Sequence, residues 1–266
     1  MFLIIIGVIL LAIAAVTFFQ YRRANEAIFQ IKATDTATVA SLKQLSEAIT
    51  TELGSPGAFR EQVELKGQIV CGNPLTAELS QQECVYCDTR IQDKFEETYT
   101  ETDSDGERQQ KTRTTYTTIS DNSLRVNFYV EDDTGQMLVN PNDAKLEAIT
   151  VVDRFEPDSA ASTSATIGNM QVTLNPGSDQ RRRLGREYEE KILPVGTPVY
   201  ILGEVTDAEG KLVIQHPAQA DKPFLISHKT EAELLRDRQG SVKGNLTATW
   251  ILGALGLVFV VWGLLG

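Results

Sequence analysis

The stretch LRVNFYVEDDTGQMLVNPNDAKL, residues Leu124 to Leu146, decides the reading of the chain. Leu124, Val126, Phe128 and Val130 alternate with Arg125, Asn127, Tyr129 and Glu131. That period of two is expected of a strand with one buried face. Glu131-Asp132-Asp133-Thr134-Gly135 interrupts the run, and Gly135 suits the positive φ that closes such a turn. Gln136 to Val139 resumes as a second strand, which Pro141 stops. The pair reads as a hairpin. Strand-like patterns on both sides of it predict a mainly β (α+β) domain, barrel- or sandwich-like, with a helix packed on it.

Of the 266 residues, 42% are hydrophobic and 23% charged, with a formal net charge of −11. Setting aside two apolar runs leaves roughly 200 residues, enough for one or two cores. So acidic a chain repels phosphate backbones, which argues against nucleic-acid partners. Three cysteines are an odd number for a disulfide framework and fit a reducing compartment better.

Phe2 to Phe19 carries no charge and reaches about 27 Å as a helix, enough for a bilayer core of roughly 30 Å. Only Met1 precedes it, so the positive start of a cleavable signal peptide is missing and an uncleaved anchor is expected. Ala248 to Gly266 is a second span, with Trp250 and Trp262 near its ends and Gly253, Gly256 and Gly263 available for close helix approach. Tyr21-Arg22-Arg23 and Lys243 flank the spans on the inner side, which places residues 20–247 in the cytoplasm by the positive-inside rule.

The segments follow from these readings. Residues 1–20 and 248–266 are transmembrane helices, 21–57 a juxtamembrane amphipathic helix, 58–228 the β domain and 229–247 a connecting helix. The amphipathic helix rests on Val39, Leu42, Leu45, Ile49 and Leu53, spaced by three or four. Strands are expected at Val63–Cys71, Cys84–Ile91, Met170–Leu174, Thr197–Val205, Lys211–Ile214 and Pro223–Ser227. Residues 92–121 read as a polar hairpin arm with its tip at Asp103-Ser104-Asp105-Gly106. Thr230-x-x-Glu233 has the spacing of a capping box.

Few residues suggest chemistry. Cys84-Val85-Tyr86-Cys87 has C-x-x-C spacing, but in an extended strand its two cysteines point to opposite faces, so buried structural thiols are expected ahead of metal or redox roles. Cys71 falls on an apolar face as well. His216 and His228 are read as surface histidines, and Asp132 and Asp133 as turn residues ahead of a calcium loop. No catalytic residue, metal or cofactor is expected. Arg22, Arg23, Arg181, Arg182 and Arg183 are candidates for lipid headgroup contact, the last three otherwise forming a solvated loop face. Between Gln92 and Gln110 seven acids face two bases, and Glu96, Glu97, Glu101, Asp103 and Asp105 are candidates for contact with a basic partner or a neighbouring subunit. The alternative is a solvated hairpin without a partner.

The order of these pieces resembles the GIDE family, also called the "beside a membrane" domain. A span leads into Thr36–Val39, then the strand Val63–Cys71 precedes Pro74-Leu75-Thr76. Cys84-Val85-Tyr86 follows, with Cys87 where the family often has Tyr. The polar arm, the Asp132–Pro141 hairpin with Asp133 and Gly135, Gly196-x-Pro-Val-Tyr-Ile-Leu-Gly203 and a second span complete the likeness. The resemblance implies kinship with organellar outer-membrane ubiquitin ligases, in which a RING finger follows the second span. A RING takes eight Cys or His ligands, and these 266 residues hold five. The expectation is therefore a protein-interaction module beside a bacterial-type membrane, for scaffolding or quality control, with other proteins or a second copy as partners. The alternatives are a ligase-like role with a RING supplied by another chain, and a thiol redox protein.

Overall fold

The computed structural model describes residues 2–265 except 54–56, 58, 103–105, 159–162, 168–169, 175–180, 209 and 220–221. In chain order come α1 (Phe2–Ala33), β1 (Thr36–Ala37), α2 (Val39–Leu53), β2 (Arg60–Val70), β3 (Leu75–Thr76), β4 (Glu83–Thr102) and β5 (Arg108–Arg125). Next are β6 (Phe128–Asp132), β7 (Gly135–Val139), β8 (Lys145–Glu147), β9 (Ile149–Pro157), β10 (Thr163–Ile167) and β11 (Met170–Leu174). Last are β12 (Arg181–Pro194), β13 (Pro198–Thr206), β14 (Val213–Gln215), β15 (Leu225–Ser227) and α3 (Glu231–Leu265).

The stretch 58–228, expected as one β domain, divides between two compact units. One unit holds residues 1–70, 127–147 and 196–266, the other residues 71–126 and 148–195. The reason is hydrogen bonding: two separate sheets carry the ladders, and neither lends a strand to the other. The opening strand reading is corrected with it. The run Leu124–Val130 breaks at Val126 and Asn127, so Leu124 lies near the end of β5 at 43% exposure while Phe128 and Val130 are buried in β6.

In the first unit β2, β6, β7, β14 and β13 form a ring, each paired with the next and β13 returning to β2. All pairs are antiparallel except β7–β14. Numbered by sequence, the ring runs 1-2-3-5-4, the Greek-key order of an OB-type barrel. Closure removes sheet edges, and the interior fills with Leu65, Ile69, Phe128, Val130, Met137, Val139, Ile201 and Ile214. Strands β1, β15 and β8 extend the ring.

The expected helix over 21–57 is two helices. α1 continues unbroken to Ala33, and α2 begins only after the short strand β1. α2 buries Val39, Leu42 and Ser46, while Leu45 is 43% exposed, one position off the expected stripe. The capping box is present: Glu233 accepts from the Thr230 amide at 2.9 Å, and the Glu233 amide donates to Thr230 Oγ1 at 3.4 Å. From it α3 runs without a break to Leu265. Two stretches are long and apolar enough to cross a membrane, Ile4–Arg22 in α1 and Leu246–Gly263 in α3. Gly256, not Gly253, lets them meet: a Cβ on Gly256 would stand 3.1 Å from the Gly7 carbonyl oxygen. Thr17 and Thr249 share a hydrogen bond of 2.9 Å between the same helices. Ile31 and Leu234 then dock on Tyr200, Leu202 and Leu225 of the barrel wall.

The second unit is an antiparallel sheet in the order β5-β4-β12-β9, with β3 also on β4 and β10–β11 as a separate hairpin. β4 and β5 span 20 and 18 residues, far beyond the usual 3–10. Cys84–Ile91 is therefore only the start of a strand that runs on into the arm.

Candidate functional site

The Asp132–Gly135 turn of the family pattern is a helix cap supplied from another element. Asp132 Oδ2 accepts from the Val39 amide at 2.8 Å, and Thr134 Oγ1 accepts from the Ala40 amide at 3.0 Å. Two otherwise orphaned donors of α2 are satisfied in this way. Burial pushes the Asp132 carboxyl up, but hydrogen bonds from Thr134, Val39 and Gly135 outweigh it and hold it below the ordinary carboxylate range. Gly135 has φ of 150°, Asp133 is exposed, and Pro141 is buried after β7. Gly196 turns into β13 with φ of 78°, and Gly203 packs against the Phe224 ring.

The reading of Cys84 and Cys87 on opposite faces is corrected. β12 pairs Leu193 with Tyr86 but Pro194 with Cys84, leaving Val85 as an extra residue. Such a bulge resets side-chain alternation. Both thiols therefore enter one apolar cluster with Ala77 and Ile192, and Val85 is buried as well. Burial, with Cys87 and Glu190 nearby, pushes the Cys84 thiol up to about 11, so at neutral pH it is protonated and a poor nucleophile. Tyr86 lies 5.7 Å below the Arg125 guanidinium. Among the described residues no three His, Cys, Asp or Glu side chains are placed to hold a metal ion.

Sequence reasoning missed several buried carboxylates, Glu190 and Glu64 the most enclosed among them. Glu190 is fully buried and accepts from the Leu79 amide at 2.7 Å, the Ser80 amide at 2.8 Å and Thr89 Oγ1 at 3.1 Å. Burial pushes it up, yet bonds from Ser80, Leu79 and Thr89 hold it below the ordinary range. It pins the turn before β4 onto the sheet. Glu64 accepts from Tyr200 Oη at 2.8 Å and from Thr36, and pairs with Lys66 at 2.9 Å, which also reaches Glu231 of α3 at 2.8 Å. The burial of Tyr200, with the Glu64 carboxylate beside it, pushes the phenol well up. A cavity of about 380 Å³ opens beside this network, lined by Lys66, Pro198, Tyr200, His228 and Ala232 among others. The only signal was a charge inside an apolar run, as in Val63-Glu64-Leu65.

Asp93, Glu96, Glu97 and Glu101 of the arm are met within the chain. Asp93, 8% exposed, lies 2.6 Å from Arg183 and 2.7 Å from Arg186. Bonds from Arg186 and Arg183 hold its carboxyl below the ordinary range against a smaller effect of burial. Glu96 pairs with Arg182 at 3.1 Å, Glu97 with Arg113 at 2.9 Å, and Glu101 with Lys111. The expected loop face Arg181–Arg183 is the start of strand β12, and Arg181 lies 3.9 Å over the Phe95 ring. β12 covers one edge of β4 from Cys84 to Glu97. Asp103 and Asp105 lie outside the described residues, as does the side chain of Arg23. Arg22 is exposed at the end of the first apolar stretch.

A closed barrel carried on two apolar helices, with a second, long-armed sheet, defines an armed β-domain protein whose motif residues cap helices and shape turns. The sequence matches the model of the family GIDE, described as E3 Ubiquitin ligase, over residues 96–262. That is more than half of the chain, and the chain belongs to this family. No curated protein and no solved structure matches it.

Proposed function

We propose that the chain is a membrane-anchored protein-interaction module, serving as scaffold or quality-control domain with its β units on the cytoplasmic side. The observation that carries this reading is β5. Its outer edge meets no strand among the described residues, and it exposes Tyr116, Ile119 and Leu124 along that edge strand. Exposed backbone beside aromatic and aliphatic side chains is what strand addition by a partner uses. The basic pair Arg22-Arg23 adds attraction to anionic headgroups, with Arg181–Arg183 a weaker candidate for the same role. The family's description favours a second reading, in which the chain serves a ubiquitin-ligase system with a RING supplied by another chain.

The test replaces Glu97–Arg108 with a short Gly-containing turn in the full chain. Partner recovery from the native membrane should fall severalfold while the melting temperature stays nearly unchanged. Unchanged recovery of every partner, both here and with Tyr116→Lys and Leu124→Lys on the β5 edge that this replacement leaves in place, would end the interaction reading. Ubiquitin transfer by the intact chain when a RING protein is added, and none without it, would favour the second.

A further inference from the structure

A second cavity, of about 220 Å³, opens in the barrel unit where α1, α3 and β15 meet. Ile31, Leu202, Phe224 and Leu225 give it apolar walls, each no more than 5% exposed. Lys145 and Arg238 add two cations to the lining. Both reach Glu147 Oε1, at 4.0 and 3.5 Å, so they stand no more than 7.5 Å apart. One carboxylate therefore serves two cations, and its other oxygen accepts from Ser227 Oγ at 3.2 Å. The Arg238 side chain is only 20% exposed, yet that 3.5 Å contact is its one hydrogen bond among the described residues. A guanidinium carries five N–H donors in a fork that matches a carboxylate. Four-fifths covered and barely bonded, Arg238 keeps donors unspent beside an apolar hollow.

Such a site selects an apolar group that ends in an anion. Its volume falls below the range of about 300–1,000 Å³ for pockets of drug-sized ligands, so it suits the end of a chain and not a cofactor. A fatty acid and a protein C-terminus both offer that end. β8 decides between them. It closes its sheet, paired with β15 alone among the described residues. The Lys145 amide donates to the Phe224 carbonyl, and the Glu147 carbonyl accepts from the His228 amide. In a parallel ladder the residue between them turns both backbone groups the other way, so Leu146 presents an N–H and a C=O on the open edge beside Lys145. A peptide can pair with those groups and a fatty acid cannot. Position favours a protein as well. Ile31 lies nine residues beyond Arg22 and Arg238 eight before Leu246, about 12–13 Å along unbroken helices from the apolar stretches. With those stretches in a bilayer, the cavity stands past a headgroup layer about 5–7 Å deep, out of reach of a seated lipid.

We propose that this cavity binds the free C-terminus of a partner protein that ends in an apolar residue. The proposal rests on the interaction reading and names what is recognised. The terminal carboxylate sits against Arg238 and Lys145, taking the positive charge that Glu147 leaves unmatched. The last side chain enters between Ile31, Phe224 and Leu225, and the main chain behind it follows β8. Internal segments of a partner lack the charge and are passed over.

The test uses the full chain in detergent and a fluorescent octapeptide ending in Leu-Leu with a free carboxylate, read by anisotropy. The same peptide as its C-terminal amide, or ending in Ser-Ser, should bind about tenfold more weakly. Arg238→Gln should weaken the free acid about tenfold and leave the amide unchanged. Lys145 has a side chain 67% exposed, so Lys145→Gln should weaken the acid severalfold at an unchanged melting temperature. Equal binding of acid and amide, or of the Leu-Leu and Ser-Ser ends, overturns the proposal, as does binding that both substitutions leave intact. So does octanoate that binds where the peptide does not. Partner recovery that still falls with Tyr116→Lys and Leu124→Lys after such a result would leave the interaction reading standing, which separates the two failures.

Discussion

The barrel and the long sheet are both β structures, yet they are held by different forces. Of the buried apolar side chains among the described residues, twenty-two belong to the barrel unit and six to the sheet. Each buried aliphatic or aromatic side chain contributes about 1.5–3 kcal/mol, so the barrel needs little else. The sheet grades from an apolar base to an ionic tip. Cys84, Cys87 and Ile192 give way to Thr89 and Glu190, then to Asp93 between two arginines, then to exposed pairs such as Glu101–Lys111. Exposed pairs are worth at most about 1 kcal/mol each. The tip is therefore the part that can exchange partners without unfolding the rest.

The largest expected effect tests the barrel side of this contrast. Phe128→Ala empties a fully enclosed position and should cost about 4 kcal/mol in denaturant unfolding of the detergent-solubilised chain. A loss under 1 kcal/mol would mean that the ring is not the stable element. Next is Glu190→Ala, which strands two amides and the Thr89 hydroxyl. It should cost about 3 kcal/mol and raise amide exchange in the turn before β4. If exchange there stays slow, the sheet's base is apolar enough to stand without that carboxylate. The smallest effect is Asp132→Ala, about 1 kcal/mol for a lost helix cap. The folded Asp132 carboxyl lies below its ordinary value of 3.8, so the stability it adds is present above that pH and is lost as pH falls through the folded value. The acid unfolding of the Ala variant should lose that component; an unchanged acid transition would reassign the cap to Thr134.

Alternation and capping were legible in the residues. The hairpin at Asp132–Gly135, the apolar strand at Thr197–Val205, the Thr230–Glu233 box and both apolar helices follow from local period and spacing, which one strand or helix enforces by itself. Contacts across the sheets were not legible. The acids of residues 92–110 looked bare because their partners Arg113, Arg182, Arg183 and Arg186 lie elsewhere in the chain, and only register brings them opposite. One extra residue at Val85 put both thiols on one face, and no pattern of apolar residues announces a bulge.

By itself, then, the sequence determined a mainly β chain with two apolar helices and a hairpin at Asp132–Gly135, because side-chain period acts within a single element. The tertiary structure alone decided that the β region divides into a closed ring and an armed sheet. It alone chose which carboxylates are buried, and it alone left the outer edge of β5 without a strand among the described residues. These depend on which strands pair and in what register, and pairing is a property of two distant segments that neither carries alone.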